Sequence, residues 1–161
     1  MTGILYHAPS EIMAQALADF GAANIEDTGT SDPITGWTVF PMHLPDTPEQ
    51  AMMVKDTAGR LHRRMQVTGV AGEHYGIQIL ARSSVDPATA FKKIKSILEM
   101  FDNPDVVLRT LVTLLDDDGI SRTYRINAVT RTSAVIPAGN DGRRYFFSGN
   151  AVASIELVEG D

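Results

Sequence analysis

The chain has 161 residues, of which 43% are hydrophobic and 21% charged, a balance that suits one folded domain over residues 1–161 with a substantial core. It contains no cysteine, which excludes disulfides, thiolate metal sites and a cysteine nucleophile. Acidic residues outnumber basic ones by 20 to 14 and the basic residues are scattered, so we expect no tight binding to nucleic acid. No apolar run is long enough to span a bilayer, so we expect no membrane partner.

The first predicted element is a helix over SEIMAQALADFG, where apolar residues recur at helical spacing between Pro9 and Gly21. Residues 22–36 and 43–49 are rich in turn-forming residues and are predicted loops. Strand-like sequence begins at WTVFPM. The segments AMMVKDT and RMQVTGV flank TAGR (residues 57–60), which predicts a β-hairpin that extends from the sheet and turns at TAGR.

The middle of the chain combines a predicted strand, EHYGIQILARS, with the most strongly patterned helix, DPATAFKKIKSILEMFD. Asp86 is the expected N-cap of this helix and Pro87 its first residue. Its predicted apolar stripe consists of Ala88, Phe91, Ile94, Ile97, Leu98 and Phe101. The next segment, VVLRTLVTLL, is apolar on both faces, as expected of a central strand.

The last third of the chain contains two further strands, SRTYRINAVTR after the acidic turn DDDG, and YFFSGNAVASIEL after a predicted loop, PAGNDGR. The order of elements predicts an α+β fold: a mostly antiparallel mixed β-sheet with two main helices packed on one face, plus the extending β-hairpin. The expected core residues are Ile12, Leu17, Phe20, Ile77, Ile79, Phe91, Ile94, Ile97, Leu98, Phe101, Tyr124, Ile126, Phe147 and Ile155.

Specific catalytic patterns are absent, since the sequence has no HExxH, GxSxG, GxxxxGK[ST] or GxGxxG. Its histidines, at positions 7, 43, 62 and 74, lack a second ligand at metal-binding spacing. The run Asp116–Asp118 lacks the alternating ligands and distal Glu of an EF-hand loop, which favours a solvated turn. Weak divalent-ion binding between several copies stays the alternative there. We therefore expect no catalytic residue, no metal, no cofactor and no enzyme activity.

Two longer stretches have a more specific pattern. GIQILARSSVDPATAFKKIKSILEMF joins a strand and an "AR" pair to a capped helix, with the pattern at Gly76, Ile77, Gln78, Ile79, Ala81 and Arg82. VTRTSAVIPAGNDGRRYFFSGNAVASIEL joins a strand, a "G.D..GR" turn and an aromatic strand, with the pattern at Gly139, Asp141, Gly142, Arg143, Phe146, Phe147 and Asn150. An earlier "D..GR" lies at Asp56, Gly59 and Arg60. Over residues 10–157 the chain resembles phage tail terminator proteins of siphophage-type tails, also grouped as phage minor capsid proteins. It departs from that family in lacking an aromatic residue after Gly76.

The resemblance implies a virion structural protein that forms a ring, by family a hexamer, on the last ring of the tail tube. Such a ring ends tube polymerisation and provides the interface to the head connector. The implied partners are further copies of the chain, the tail tube protein and the head–tail connector protein, while DNA passes through the lumen without specific binding. The implied location is the head-proximal end of the virion tail, and the host cytoplasm during assembly.

Two other functions stay open. A head-completion or neck connector protein has a similar size, charge and α+β content. A small-molecule-binding or hydrolytic α+β domain belongs to another class and predicts a concave apolar pocket with a few convergent polar groups. A ring protein predicts instead an exposed apolar patch and a repeated self-interface.

Phe146 lies on the otherwise polar face of the last predicted strand, next to Arg144, Ser148 and Asn150. It either lies under a loop, PAGNDGR or residues 22–36, or forms the aromatic centre of a subunit contact with a polar rim. The predicted subunit or partner interface consists of Phe146, Arg144, Asn150, Arg60 and Arg64.

Overall fold

The computed structural model describes residues 5–20, 24–25, 37–61, 73–84, 86–103, 105 and 110–160. The helices in these ranges are α1 (Pro9–Asp19) and α2 (Pro87–Phe101). The strands, in chain order, are β1 (Asn24–Ile25), β2 (Thr38–Pro41), β3 (Ala51–Leu61), β4 (Glu73–Ser83), β5 (Thr110–Leu115), β6 (Ser121–Arg131), β7 (Ile136–Asn140) and β8 (Tyr145–Gly160). Neither described helix is long and apolar enough to cross a membrane.

The strands form one mixed sheet in the order β1-β2-β3-β4-β8-β6-β5, and β7 pairs with β8 outside this path. β1, β2 and β3 are mutually parallel, and every other pairing is antiparallel. β8 is the longest strand. It pairs with β4 on one side, and with β7 and then β6 on the other. The prediction of an α+β fold with a mostly antiparallel mixed sheet is confirmed.

Both helices lie on one face of the sheet, which we call the inner face. α1 packs on β2 and β3 and also on β5, near the opposite end of the strand order, so the sheet curls around this helix. α2 packs on β4, β8 and β6. The placement of the two helices is therefore also as predicted, and it leaves the opposite, outer face without a helix in the described part of the chain.

Local sequence sets where each helix begins. The Glu11 carboxylate accepts a hydrogen bond from the Ala8 backbone N–H at 2.8 Å, and Pro9 is the first residue of α1. In α2, Asp86 Oδ1 accepts from the Thr89 backbone N–H at 2.8 Å, as expected of an N-cap, and Pro87 follows it. The hydrogen bonds from Thr89 hold the pKa of Asp86 below its usual value, since they favour the charged carboxylate.

The buried apolar residues form one cluster between the helices and the inner face. Its largest fully buried members are Ile12, Met13, Leu17, Met52, Ile77, Ile79, Ile94, Ile97, Leu98, Tyr124 and Ile126. α2 packs closely on β8 at Gly149, where an added Cβ would lie 3.0 Å from Leu98 Cδ1 and 3.1 Å from Ile94 Cγ2. A larger residue at position 149 would require Leu98 and Ile94 to shift by a few tenths of an ångström, so glycine suits this close packing.

The predicted stripe of α2 is wrong at its first two residues. Ala88 is exposed, and Phe91 is 40% exposed, whereas Ala90 is fully buried. The buried stripe therefore passes through Ala90, and Phe91 lies at its margin, where its ring packs edge-on against Phe147 with centroids 5.7 Å apart. Phe20 and Phe147 are likewise only partly buried.

Two predicted connections are strands instead. TAGR lies inside β3, which continues to Leu61 with an irregular register between Thr57 and Arg60. The connection between β3 and β4, with all of RMQVTGV, lies outside the described residues. PAGNDGR begins as β7, so the true turn is residues 141–144. In both cases pairing with a neighbouring strand overrides the turn preference of the glycines.

The prediction of a central strand over VVLRTLVTLL is also wrong. β5 is the last strand of the sheet path, and residues 106–109 of this stretch lie outside the described residues. Val112 faces the core, whereas Leu111 and Leu115 on the outer face are 54% and 69% exposed. Apolar residues on both faces thus mark an exposed apolar edge here, not burial on two sides.

Candidate interface site

Arg82 of β4 is the most deeply buried charged side chain that the structure describes, with 2% exposure, although it points to the outer face. A loop of residues 42–50, which we call the covering loop, folds over it. The Arg82 guanidinium donates through Nε to the Glu49 carbonyl at 3.1 Å, and through Nη2 to the carbonyls of Asp46 at 3.2 Å and Pro48. Burial, and secondarily the neighbouring Arg144, lower the pKa of Arg82. Arg82 thus fixes the covering loop to the sheet.

Arg144, at the end of the turn of residues 141–144, joins that turn to the covering loop. Its Nη2 donates to Asp141 Oδ2 at 2.7 Å, and its Nη1 donates to Asp46 Oδ1 at 3.3 Å. The hydrogen bonds with Asp141 raise the pKa of Arg144 and lower the pKa of the Asp141 carboxyl. Arg144 is therefore a positioned, partly exposed group whose charge is already balanced within the chain.

An open groove of about 770 Å³ lies between the covering loop and this turn. Its lining residues are Asp46, Thr47, Glu49, Ser84, Asp141, Gly142, Arg143, Arg144 and Tyr145. Three carboxylates and two guanidinium groups dominate this lining, which is polar. Such a surface resembles the polar rim of a protein contact more than an apolar ligand pocket.

Phe146 follows this groove along β8 and is half-buried on the outer face. It lies in register between Arg82 of β4 and Gly139 of β7. The segment PAGNDGR thus pairs beside Phe146 through β7 and does not form a loop over it. Residues 22–36, the other expected cover, lie outside the described residues except for β1. Phe146 stays a predicted interface residue.

The other predicted interface residues do not gather at one place. Asn150 lies four residues further along β8, where its backbone N–H donates to Ser133 Oγ at 2.9 Å. Arg60 is paired with His74 of β4, whereas Phe146 is paired with Arg82 of the same strand. These two β4 residues are eight positions apart, so Arg60 and Phe146 are separated by roughly 26 Å along the strand direction. The side chain of Arg60 and all of Arg64 lie outside the described residues. The structure thus brings together Arg144 and Phe146, and sets Arg60 apart from them.

The acidic turn between β5 and β6 is a hairpin turn, as predicted. The Asp116 carboxylate accepts from the Asp118 and Ile120 backbone N–H groups at 3.0 and 2.9 Å and from Arg122 Nε at 2.9 Å. These bonds, the one from Ile120 foremost, lower the pKa of Asp116. Asp117 and Asp118 are exposed. Asp116 therefore organises the turn and leaves the other two carboxylates facing solvent.

His7 ties the chain before α1 to the edge of the sheet, a contact that sequence alone did not indicate. Its Nε2 lies 3.0 Å from the Leu115 carbonyl oxygen, and its Nδ1 lies 2.7 Å from the Tyr124 hydroxyl. Because a carbonyl only accepts, Nε2 carries the proton and donates, and in the neutral ring Nδ1 accepts from the hydroxyl. Burial raises the pKa of Tyr124, which keeps that hydroxyl protonated.

Among the residues that the structure describes, no three His, Asp or Glu side chains form a group that could hold a metal ion. No family model matches the chain, and no curated protein matches it in sequence.

Proposed function

We propose that this protein is a phage tail terminator, a virion structural protein that forms a ring, hexameric by analogy, on the end of the tail tube. In this role it binds further copies of itself and the tail tube protein, ends tube polymerisation, and offers its free side to the head–tail connector. DNA passes through the ring without specific contacts. The proposal rests on the sequence resemblance together with one structural observation, the unprotected edge at β5.

β5 has the properties of an assembly edge. The Asp116 N–H donates to the Ile120 carbonyl. Hydrogen bonds to the neighbouring strand form at every second residue of an antiparallel pair. The backbone N–H and C=O groups of Leu111, Thr113 and Leu115 therefore point away from β6. One of these groups, the Leu115 carbonyl, accepts a hydrogen bond from His7. The other backbone groups of β5 that point away from β6 are not paired with another strand in the described part of the chain.

Monomeric proteins usually protect an exposed strand edge with charged side chains, a proline or a β-bulge. β7, which also has one strand neighbour in the described part of the chain, carries Pro137 and an irregular register before Gly139. β5 carries no charge and no proline, its register with β6 is regular, and Leu111 and Leu115 are exposed beside the open edge. An open apolar edge favours pairing with another chain. That is the property that a ring-forming protein needs.

The groove around Arg144 supports the same proposal from a second place on the outer face. Phe146 follows its charged lining directly along β8, and an aromatic residue beside a polar rim is typical of protein contacts. A head-completion protein would share both features. It would bind isolated heads and leave tail tubes free, whereas a terminator binds tubes.

A tube-growth assay tests the proposal. Tail tube protein of the same phage polymerises in a light-scattering cell, and adding this protein is expected to stop growth at a tube length that falls as its concentration rises. The double variant Leu111→Lys/Leu115→Lys places charges on the open edge and is expected to stop growth about tenfold less effectively. Ala128→Lys, at an exposed position of β6, is the matched control and should behave like the parent. Unchanged tube growth at every concentration of the parent protein would contradict the proposal.

A further inference from the structure

The residues along the open edge of β5 are symmetric about Thr113. Leu111, Thr113 and Leu115 direct their backbone N–H and C=O groups away from β6, and their side chains are exposed on the outer face. Thr113 is the middle residue, with an exposed leucine two positions away on each side. An antiparallel strand with the same three residues therefore places leucine opposite leucine and threonine opposite threonine, which are favourable cross-strand pairs.

The charge distribution around β5 also allows the strand to face a copy of itself. Its sequence, TLVTLL, contains no charged residue, so no like charges meet across such a contact. The acidic turn, Asp116–Asp118, follows β5 at one end only. In a parallel pair of β5 strands the two acidic turns would lie side by side. In an antiparallel pair centred on Thr113 they lie at opposite ends, with the two Asp116 residues roughly 20 Å apart along the strand direction.

We infer that two copies of the free protein pair through β5, antiparallel and about a two-fold axis at Thr113. The backbone N–H and C=O groups of the two Thr113 residues bond to each other, and each Leu115 N–H donates to the opposite Leu111 carbonyl. None of these bonds uses the Leu115 carbonyl, which accepts from His7, so the contact of His7 with the sheet is kept. On the outer face, Leu111 of each copy packs against Leu115 of the other.

A second copy is the occupant of the edge because its own β5 matches the edge in backbone groups, side chains and lack of charge. A two-fold contact joins one surface patch to the same patch, so it ends at two copies and does not by itself close a ring. The inference therefore goes beyond the proposed ring and concerns the protein before it reaches a tube. The pair covers an edge that is otherwise open to strand addition by other chains, and it separates when ring neighbours take that edge.

A single introduced cysteine tests the contact, because the chain has no cysteine of its own. In the inferred pair, position 113 of one copy faces position 113 of the other with a Cα separation of about 5.5 Å, which suits a disulfide. Thr113→Cys is therefore expected to form a disulfide-linked dimer under oxidised glutathione, seen on a non-reducing gel. Ser121→Cys, at an exposed position of the neighbouring strand β6, is the matched control and should stay monomeric.

A charge placed on the two-fold axis gives an independent test. Thr113→Lys and Thr113→Glu each put like charges opposite each other, so each variant alone should self-associate at least about threefold more weakly in sedimentation velocity. An equimolar mixture should regain the association of the parent protein, because lysine then faces glutamate. Thr113 is exposed, so thermal melts should show that all three variants at this position are folded.

Two results would overturn the inferred pair. One is a dimer yield from Thr113→Cys no greater than that from Ser121→Cys. The other is a mixture of the two charge variants that associates no better than its components, since position 113 would then face a different residue, as in a head-to-tail contact. Neither experiment uses tail tubes, so failure of the pair is distinguishable from failure of the proposed ring, which the tube-growth assay tests.

Discussion

Truncating Ile94 tests how α2 is held against the sheet. Ile94 is fully buried, and its Cγ2 lies against Gly149 of β8. Ile→Ala changes in protein cores cost about 2–5 kcal/mol of unfolding free energy, with the larger values where the surroundings cannot collapse into the space. β8 is paired with β4 at Gly149, which restrains its backbone from collapsing into the space that Ile94 leaves. We therefore expect Ile94→Ala to cost about 3–5 kcal/mol.

Phe91→Ala is the matched variant, three residues earlier on the same helix. Complete burial of a Phe side chain contributes about 1.5–3 kcal/mol, and Phe91 keeps 40% of its surface exposed, so burial contributes about 1–2 kcal/mol at this position. The edge-on contact with Phe147 adds about 0.5 kcal/mol or somewhat more. Urea unfolding followed by circular dichroism measures both variants, with the slope of free energy against urea checked for equality. A loss for Phe91→Ala as large as that for Ile94→Ala would refute this account of the helix face.

Four further variants probe the outer face and the acidic turn. Arg82→Met removes the donor that holds three carbonyls of the covering loop, so limited proteolysis should cut that loop faster and stability should fall by about 1–3 kcal/mol. Arg144→Met, which breaks partly exposed ion pairs, should lower stability by less than Arg82→Met does. The folded-state pKa of Asp116 is lowered, so its stabilisation is present above the unfolded pKa of about 4 and is lost as pH falls through the folded value. The stability difference between the parent and Asp116→Asn should therefore shrink in acid titrations below about pH 4. Phe146→Ser should leave the melting temperature within about two degrees of the parent but weaken ring formation about tenfold, and a variant that melts early yet assembles normally once folded would make Phe146 a residue of the fold alone.

Local patterns allowed the helices to be predicted well. The Asp86-Pro87 start of α2 and the 3.6-residue period of its apolar residues are both encoded within the sixteen residues from Asp86 to Phe101, and the structure confirms them. The prediction failed at the margin of the apolar stripe of α2, at Ala88 and Phe91. A helical period fixes a face only to within about one residue, and whether Phe91 is covered depends on the width of the sheet beneath it.

Strand positions could not be predicted equally well, because the place of a strand in a sheet depends on distant segments. β5 has the composition of a central strand but ends the sheet path. Its position could not be predicted, because no local signal indicates which strands lie beside it. In the same way, Gly59 favours a turn locally, but pairing of β3 with β4 continues through Arg60.

The candidate interface was predicted only in part, for a related reason. Arg144 and Phe146 come together because they are close in sequence. The role of Arg82 depends on carbonyls 33–36 residues away, and none of these contacts is visible as a motif. His7 reaches Leu115 across 108 residues. Side chains that join distant parts of the chain are therefore recognised only once the fold is known.

Electron microscopy of the purified protein mixed with tail tubes of the same phage tests the central claim most directly. The account predicts a single ring of additional density at one end of each tube, with the rotational symmetry of the tube and with free rings of the same diameter at high protein concentration. Tubes with bare ends, beside a protein that remains monomeric at every concentration, would contradict it.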